Sequence, residues 1–385
     1  MRLTAISSTA VVLALSVCGP ATAGWLENSL SEPTPENELL DIGIQPFDPG
    51  LDRKWAFARA QERLQPEVRQ AEATFLAVHL MRTLQSTERF GLVRMVPANS
   101  LTADLMVSGK ISYSTGRRLE IEIRVVDATG RRWFKKSYKA SAEAFSYAIR
   151  FQGTSEPFQL LYDQIAFDLI QEQKRFKKEY LSELRDVAEL RYAAQLVPGV
   201  FGGYLTVGRK DRVQLERLPA RDDPMIARIR QVQAHNEFFL DLLTDRFQSF
   251  YDEMDETYDE YRANSYDVET ELIDAIRHYN ANARPRMSDR GDFSSFDMWK
   301  ARKAAYYRRH AAAQARYLDD IALNFSSVVE PMVIELNGET LRLEGSIEDQ
   351  YDQWQEMLET IFENETGIPA TPKPAQTASA TTLRP

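Results

Sequence analysis

The residue groups able to do chemistry are few, and each points to a different machinery. The four histidines, His79, His235, His278 and His310, stand singly. None has the spacing to Glu or to another ligand that a zinc site requires, so neither a metal site nor a cofactor is expected. His79 lies between Val78 and Leu80 in an amphipathic run, the setting of a structural or surface histidine. Residues 198–208, "PGVFGGYLTVG", carry glycines whose N–H groups could hold an anion, but no GK[ST] ending follows and the segment reads as a turn after a helix. Residues 251–261, "YDEMDETYDEY", gather six carboxylates. A calcium loop needs a turn-forming glycine, whereas here a helical apolar stripe continues, so a solvated acidic helix face is expected. With neither a G-x-S-x-G nor a P-loop sequence present, no catalytic residue is assigned.

The remaining group is basic and aromatic: "GRRWFKKSYK", residues 130–139, backed by Arg117 and Arg118 at the neighbouring turn. Arg131, Trp133 and Lys135, with Arg117 and Arg118, are the candidate binding residues, suited to an anionic glycan, a lipid headgroup or an acidic partner through charge and ring stacking. Lysines also guard sheet edges against pairing with other chains, so a plain edge strand would carry the same composition. Strict alternation places Arg131, Trp133, Lys135 and Ser137 on a solvent face and Arg132, Phe134, Lys136 and Tyr138 on the other, with Phe134 and Tyr138 buried.

The start of the chain bears on where these groups act. Residues 1–23 read as a signal peptide: Arg2, an apolar stretch centred on "AVVLALSV", the breaker Gly19-Pro20, and Ala21-Thr22-Ala23, small where a signal peptidase reads. Cleavage before Gly24 is expected. Cys18 is the rival, as a lipid attachment site, but Val17 occupies the place where a lipobox carries a small residue. Cleavage would leave a mature chain without cysteine, so the core must hold the fold without disulfides. The 385 residues, 43% of them apolar, suffice for that. The formal charge of −10, one lower once Arg2 is gone, argues against general nucleic-acid binding. No later run of about 18 apolar residues offers a transmembrane span.

Between a disordered linker at 24–38 and a disordered tail at 367–385, the pattern is α+β. Residues 39–152 form a helix-on-antiparallel-sheet domain. In it a short strand "LLDIGIQPF" precedes a helix from Pro66 bearing Val68, Ala71, Phe75, Val78 and Met81 on one face. The strands "GLVRMVP", "ADLMVSGKISYS" and "LEIEIRVVDATG" follow, the last alternating Leu119, Ile121, Ile123 and Val125 against Glu120, Glu122 and Arg124. Residues 153–200 read as one long connecting helix and 201–330 as a helical bundle region, its first long helix capped by Asp222 or Asp223 with Pro224 in the first turn. Residues 331–366 read as a β-hairpin turning at Asn337-Gly338, then a helix capped by Ser346 and Asp349.

In order and kind, "IGIQPFDPG", "FGLVRMVPA", "ADLMVSGKI", "VVDATGRRWFKKSY" and "PFQLLYDQIAFDLI" resemble the TolB-N-terminal and CsgG-like α/β domain of exported envelope proteins. "PEVRQAEA", "ELRYAAQLVP", "RLPARDDPMIARIR" and "EDQYDQWQEML", together with "DATGRRWFKKSY", resemble an uncharacterised family of exported proteobacterial proteins over nearly the whole mature chain. The resemblance implies an envelope address and an architecture, and no reaction. The expected function is a non-enzymatic accessory or scaffold protein of the Gram-negative envelope, periplasmic and associated at most with the outer membrane, that binds envelope proteins or anionic envelope components. The alternative is a hydrolase that attacks an envelope polymer through a pair of carboxylates, whose separation is spatial and invisible in sequence.

Overall fold

The computed structural model describes residues 35, 38–51, 66–100, 102–144, 146–147, 156–220, 222–282, 317, 320–321, 330–336 and 339–368. The leader with Cys18, most of the linker, His310, the Asn337-Gly338 turn and the tail beyond residue 368 lie outside them, as does the side chain of His278. The fold is α+β.

Strand β1 (Ile42–Ile44) is buried at every position. Helix α1 (Pro66–Ser86) follows, then β2 (Val93–Met95), β3 (Leu105–Ser114), β4 (Arg118–Asp127) and β5 (Arg132–Ser141). They form a five-stranded sheet in the order β2-β1-β3-β4-β5. The antiparallel meander read from the sequence is β3–β4–β5, with Ile111 opposite Ile121 and Ile121 opposite Tyr138. Strand β1 runs parallel to both its neighbours, so the sheet is mixed. The alternation in β4 sends Leu119, Ile121, Ile123 and Val125 into the core and Glu120, Glu122 and Arg124 to the other face. Helix α1 was expected to bury one face. It is buried almost all round, because the sheet covers one side and later helices the other.

The single long helix expected over 153–200 is broken. Helix α2 (Gln159–Gln173) and helix α3 (Lys178–Leu196) are separated at Lys174 to Lys177, where Lys177 takes an extended backbone. The break turns Phe176 onto Trp133, ring centroids 4.9 Å apart, a contact that a continuous charged helix would not make. A four-residue helix α4 (Pro198–Phe201) and a hairpin of β6 (Leu205–Val207) and β7 (Val213–Leu215) come next, so the segment 198–208, read as a turn, is a short helix, a 3-10 turn at Gly202–Tyr204 and a strand.

In the helical bundle region expected over 201–330, helix α5 (Pro224–Asn282) runs unbroken for 59 residues, about 90 Å at 1.5 Å per residue, and most of residues 283–329 lie outside the described residues. Asp223 accepts from the Met225 N–H at its start. The segment "YDVETELIDAIRHYNA" belongs to α5, since no Gly or Pro intervenes. Strands β8 (Met332–Leu336) and β9 (Glu339–Leu343) pair with Leu336 opposite Glu339, leaving a two-residue connection. Helix α6 (Ile347–Thr366) begins with a full capping box between Ser346 and Asp349 and ends on Gly367 in the left-handed region. Trp354 of α6 stacks on Phe239 of α5, fixing this C-terminal unit to the long helix.

One buried polar node clamps α5 to the rest. Glu72 of α1 takes Arg69 Nη1 on Oε2, and on Oε1 takes Ser114 Oγ of β3 together with Tyr258 OH and Arg262 Nη2 of α5. Burial alone would raise the Glu72 pKa; the two arginines and the two hydroxyls outweigh it and hold the carboxyl down at about 2. The Gly116 turn packs against α5 so closely that an added Cβ would lie 2.5 Å from Arg262 O and 2.7 Å from Tyr266 Cα. Its carbonyl accepts from Tyr147 OH. The glycine is needed for this approach, since it lacks the positive φ seen at Gly130 in the next turn.

Candidate functional site

The basic strand is β5, an edge of the sheet, held on the core side by α2. Asp168 of α2 accepts both Tyr138 OH at 2.7 Å and Lys136 Nζ at 2.5 Å. Burial and this carboxylate keep Tyr138 protonated, its pKa pushed well up. Phe134, Lys136 and Tyr138 share the core-side face, as alternation requires, with Tyr138 buried and Phe134 half-buried.

Trp133 departs from the alternation. It was expected in solvent beside Arg131 and Lys135, yet it is 7% exposed. Its Nε1–H donates to Asp127 Oδ2 at 2.9 Å, and its ring packs on Phe176. The cause is a β-bulge: Val125 pairs with Phe134 but Val126 pairs with Arg132, leaving Trp133 as the extra residue. The bulge turns Trp133 inward and moves Arg132 to the outer face in its place. Arg131 goes elsewhere, its guanidinium 4.7 Å from the Phe176 ring centroid and 5.6 Å from that of Tyr180.

The outer face of the meander therefore carries Lys110, Arg118, Arg124, Arg132, Lys135 and Lys139 against Glu120 and Glu122. Lys135 reaches Glu122 and Lys139 reaches Glu120, each at 2.8 Å; Lys139 and then Arg118 lower the Glu120 pKa. Lys110 pairs with Asp48 at 3.2 Å. Arg124 and Arg132 are exposed and pair with no carboxylate among the described residues. Arg124 stands directly opposite Lys135, a like-charge pair. Of the residues singled out from sequence, Lys135 lies in this patch and Arg118 on its rim. Arg117 lies apart, donating to Thr270 Oγ1 of α5 at 3.1 Å. Arg124 is not among the residues singled out from sequence, and Arg132 is expected on the face of Phe134 and Tyr138. The first was legible from alternation in "LEIEIRVV"; the second was hidden by the bulge.

The other groups fall into structural settings. His79 bridges helices, Nδ1 2.8 Å from Tyr251 OH and Nε2 2.8 Å from Gln159 Oε1. In the acidic run, Tyr251, Met254 and Tyr258 face the core while Asp252 pairs with Arg82. Among the described residues no group of three or more His, Cys, Asp or Glu is placed to hold a metal ion. Asp104 and Asp41 bear on the hydrolase alternative: burial and then the neighbouring Asp41 charge raise the Asp104 pKa to about 7. Asp104 is buried, and its Oδ2 accepts the Asp41 N–H at 2.9 Å, an arrangement that closes a loop. A cleft of about 500 Å³ opens between β2 and α5, with Phe90, Leu92 and Thr244 in its lining and an Arg94–Asp241 pair at 2.6 Å.

Comparison of the chain with family models, curated proteins and solved structures returns no match. No described helix is long and apolar enough to cross a membrane.

Proposed function

We propose that the protein is a non-enzymatic accessory or scaffold protein of the Gram-negative envelope, acting in the periplasm, and that the outer face of β3, β4 and β5 binds an acidic protein partner. The signal-peptide pattern supports the address. The observation that carries the binding face is the placement of Arg124 directly opposite Lys135, with Arg132 beside them, in a chain of formal charge −10. Like charges facing each other across a strand pair cost folding free energy, on the order of 0.2–1 kcal/mol, and edge protection needs lysines only on β5. A central-strand arginine with no carboxylate partner among the described residues is better suited to a carboxylate brought by a partner.

Crosslinking of the tagged protein in the native envelope, followed by recovery at rising salt, tests the reading. Acidic proteins should be captured at low salt and lost progressively as screening grows. Capture that is indifferent to salt, or a partner set without acidic surfaces, would count against it.

A further inference from the structure

The buried clamp around Glu72 has more donors than it can use. Arg69 and Arg262 are 5% and 3% exposed, and both line a cavity of about 20 Å³ beneath the Gly116 turn, together with Glu72, Ser114, Thr115 and Ser265. Arg69 Nε and Arg262 Nη1 find no acceptor among the described residues. The acceptors of Glu72, Ser114 and Gly116 are already engaged. Glu72 Oε1 takes three donors and Oε2 takes Arg69 Nη1. Ser114 Oγ accepts Arg262 Nη2 while donating to Glu72, and Gly116 O accepts Tyr147 OH. A buried guanidinium N–H without an acceptor is costly. The ionised side chains lining the cavity are two arginines and one glutamate, an excess of one positive charge. Glu156 also acts on Arg262 but does not line the cavity.

We propose that this cavity is a binding site for one monatomic anion of chloride size, gripped by Arg69 Nε and Arg262 Nη1. The volume admits a single water-sized body and excludes sulfate and phosphate. A water placed there would have to donate its own two hydrogens as well as accept from the two guanidinium N–H groups, whereas a halide only accepts. Because the site joins α1, the β3–β4 turn and α5, an anion bound there ties the long helix to the sheet. The site is internal and independent of the outer basic face.

The test is thermal melting of the full chain in chloride, bromide, sulfate and gluconate at matched ionic strength, with crystals grown in bromide. Chloride and bromide should raise the melting temperature saturably by roughly 2–4 °C over sulfate and gluconate. An anomalous bromide peak should lie within contact of both orphan donors. Ser265→Leu fills the cavity from its α5 side and leaves the arginines and Glu72 unsubstituted; it should fold and lose the halide-specific rise. Arg69→Gln should lose it also. Equal melting in all four salts, or density refining as water with no bromide signal, overturns the proposal even if Arg69→Gln fails to fold.

Discussion

The two faces of the meander are made by the same three strands, and their charges meet opposite fates. On the core side the carboxylates are committed to the fold: Asp168 holds Lys136 and Tyr138, and Glu72 is surrounded by two arginines and two hydroxyls. On the outer side Arg124 faces Lys135, and neither Arg124 nor Arg132 has a carboxylate among the described residues. The difference separates charge that holds the fold from charge that the fold does not need. Inside, an unmatched ion would cost several kcal/mol, so Glu72 and Asp168 are each held by named partners. Outside, water screens it, and what is retained there is free to meet another molecule.

The largest effect should come from removing a committed charge. Arg262→Met leaves Glu72 buried with one cation, and should cost about 3–5 kcal/mol in a urea melt. Trp133→Ala should cost a similar ~3–5 kcal/mol, as for truncation of a buried tryptophan. A loss below about 0.5 kcal/mol, normal for a surface residue, would put Trp133 back in solvent and remove the bulge from the explanation. Gly116→Ala should cost about 1–3 kcal/mol by forcing the turn away from the α5 backbone. Unchanged stability there would mean that α5 yields without consequence.

Buried carboxylates divide the pH response in the same way. Glu72 titrates near 2 in the folded chain against 4.5 ordinarily, so it binds fewer protons folded than unfolded over that interval. Its contribution is present above pH 4.5 and is lost as pH falls from 4.5 towards 2. Asp104, raised from 3.8 to about 7, has the opposite sign: the folded state holds the extra proton, and stability falls as pH rises from 3.8 towards 7. Asp104→Asn should flatten the second limb and leave the first, measured by urea melts from pH 3 to 8. A variant whose slope matches wild type between pH 4 and 7 would show that Asp104 is not the group responsible.

Much of this outline is legible in the chain, because it rests on local periodicity. The alternation of Leu119 to Val125, the hairpin into α6, the Ser346–Asp349 box and the cap at Asp223 depend on residues within a few positions of each other. What escaped depends on distance or on a single extra residue. Glu72 and Arg262 are separated by 190 positions, and nothing in "RQAEA" or "EYRANS" announces the other. One bulge residue moved Trp133 inside and Arg132 outside, reversing that end of the candidate site while leaving Lys135 where alternation put it. The break at residues 174–177 lies in a charged run with no Gly or Pro, and it serves a tertiary contact between Phe176 and Trp133.

The smallest effect on folding should accompany the largest on binding. Arg124→Glu with Arg132→Glu alters two exposed side chains and should change stability by no more than about 0.5 kcal/mol. The decisive measurement compares capture from native envelope extracts by wild type, by this double variant and by Arg131→Glu, whose side chain lies over Phe176 and Tyr180 and not on the outer face. The double variant should lose its acidic partners while Arg131→Glu retains them. Equal capture by all three folded proteins would contradict an anion-binding outer face and leave β5 as a lysine-protected edge.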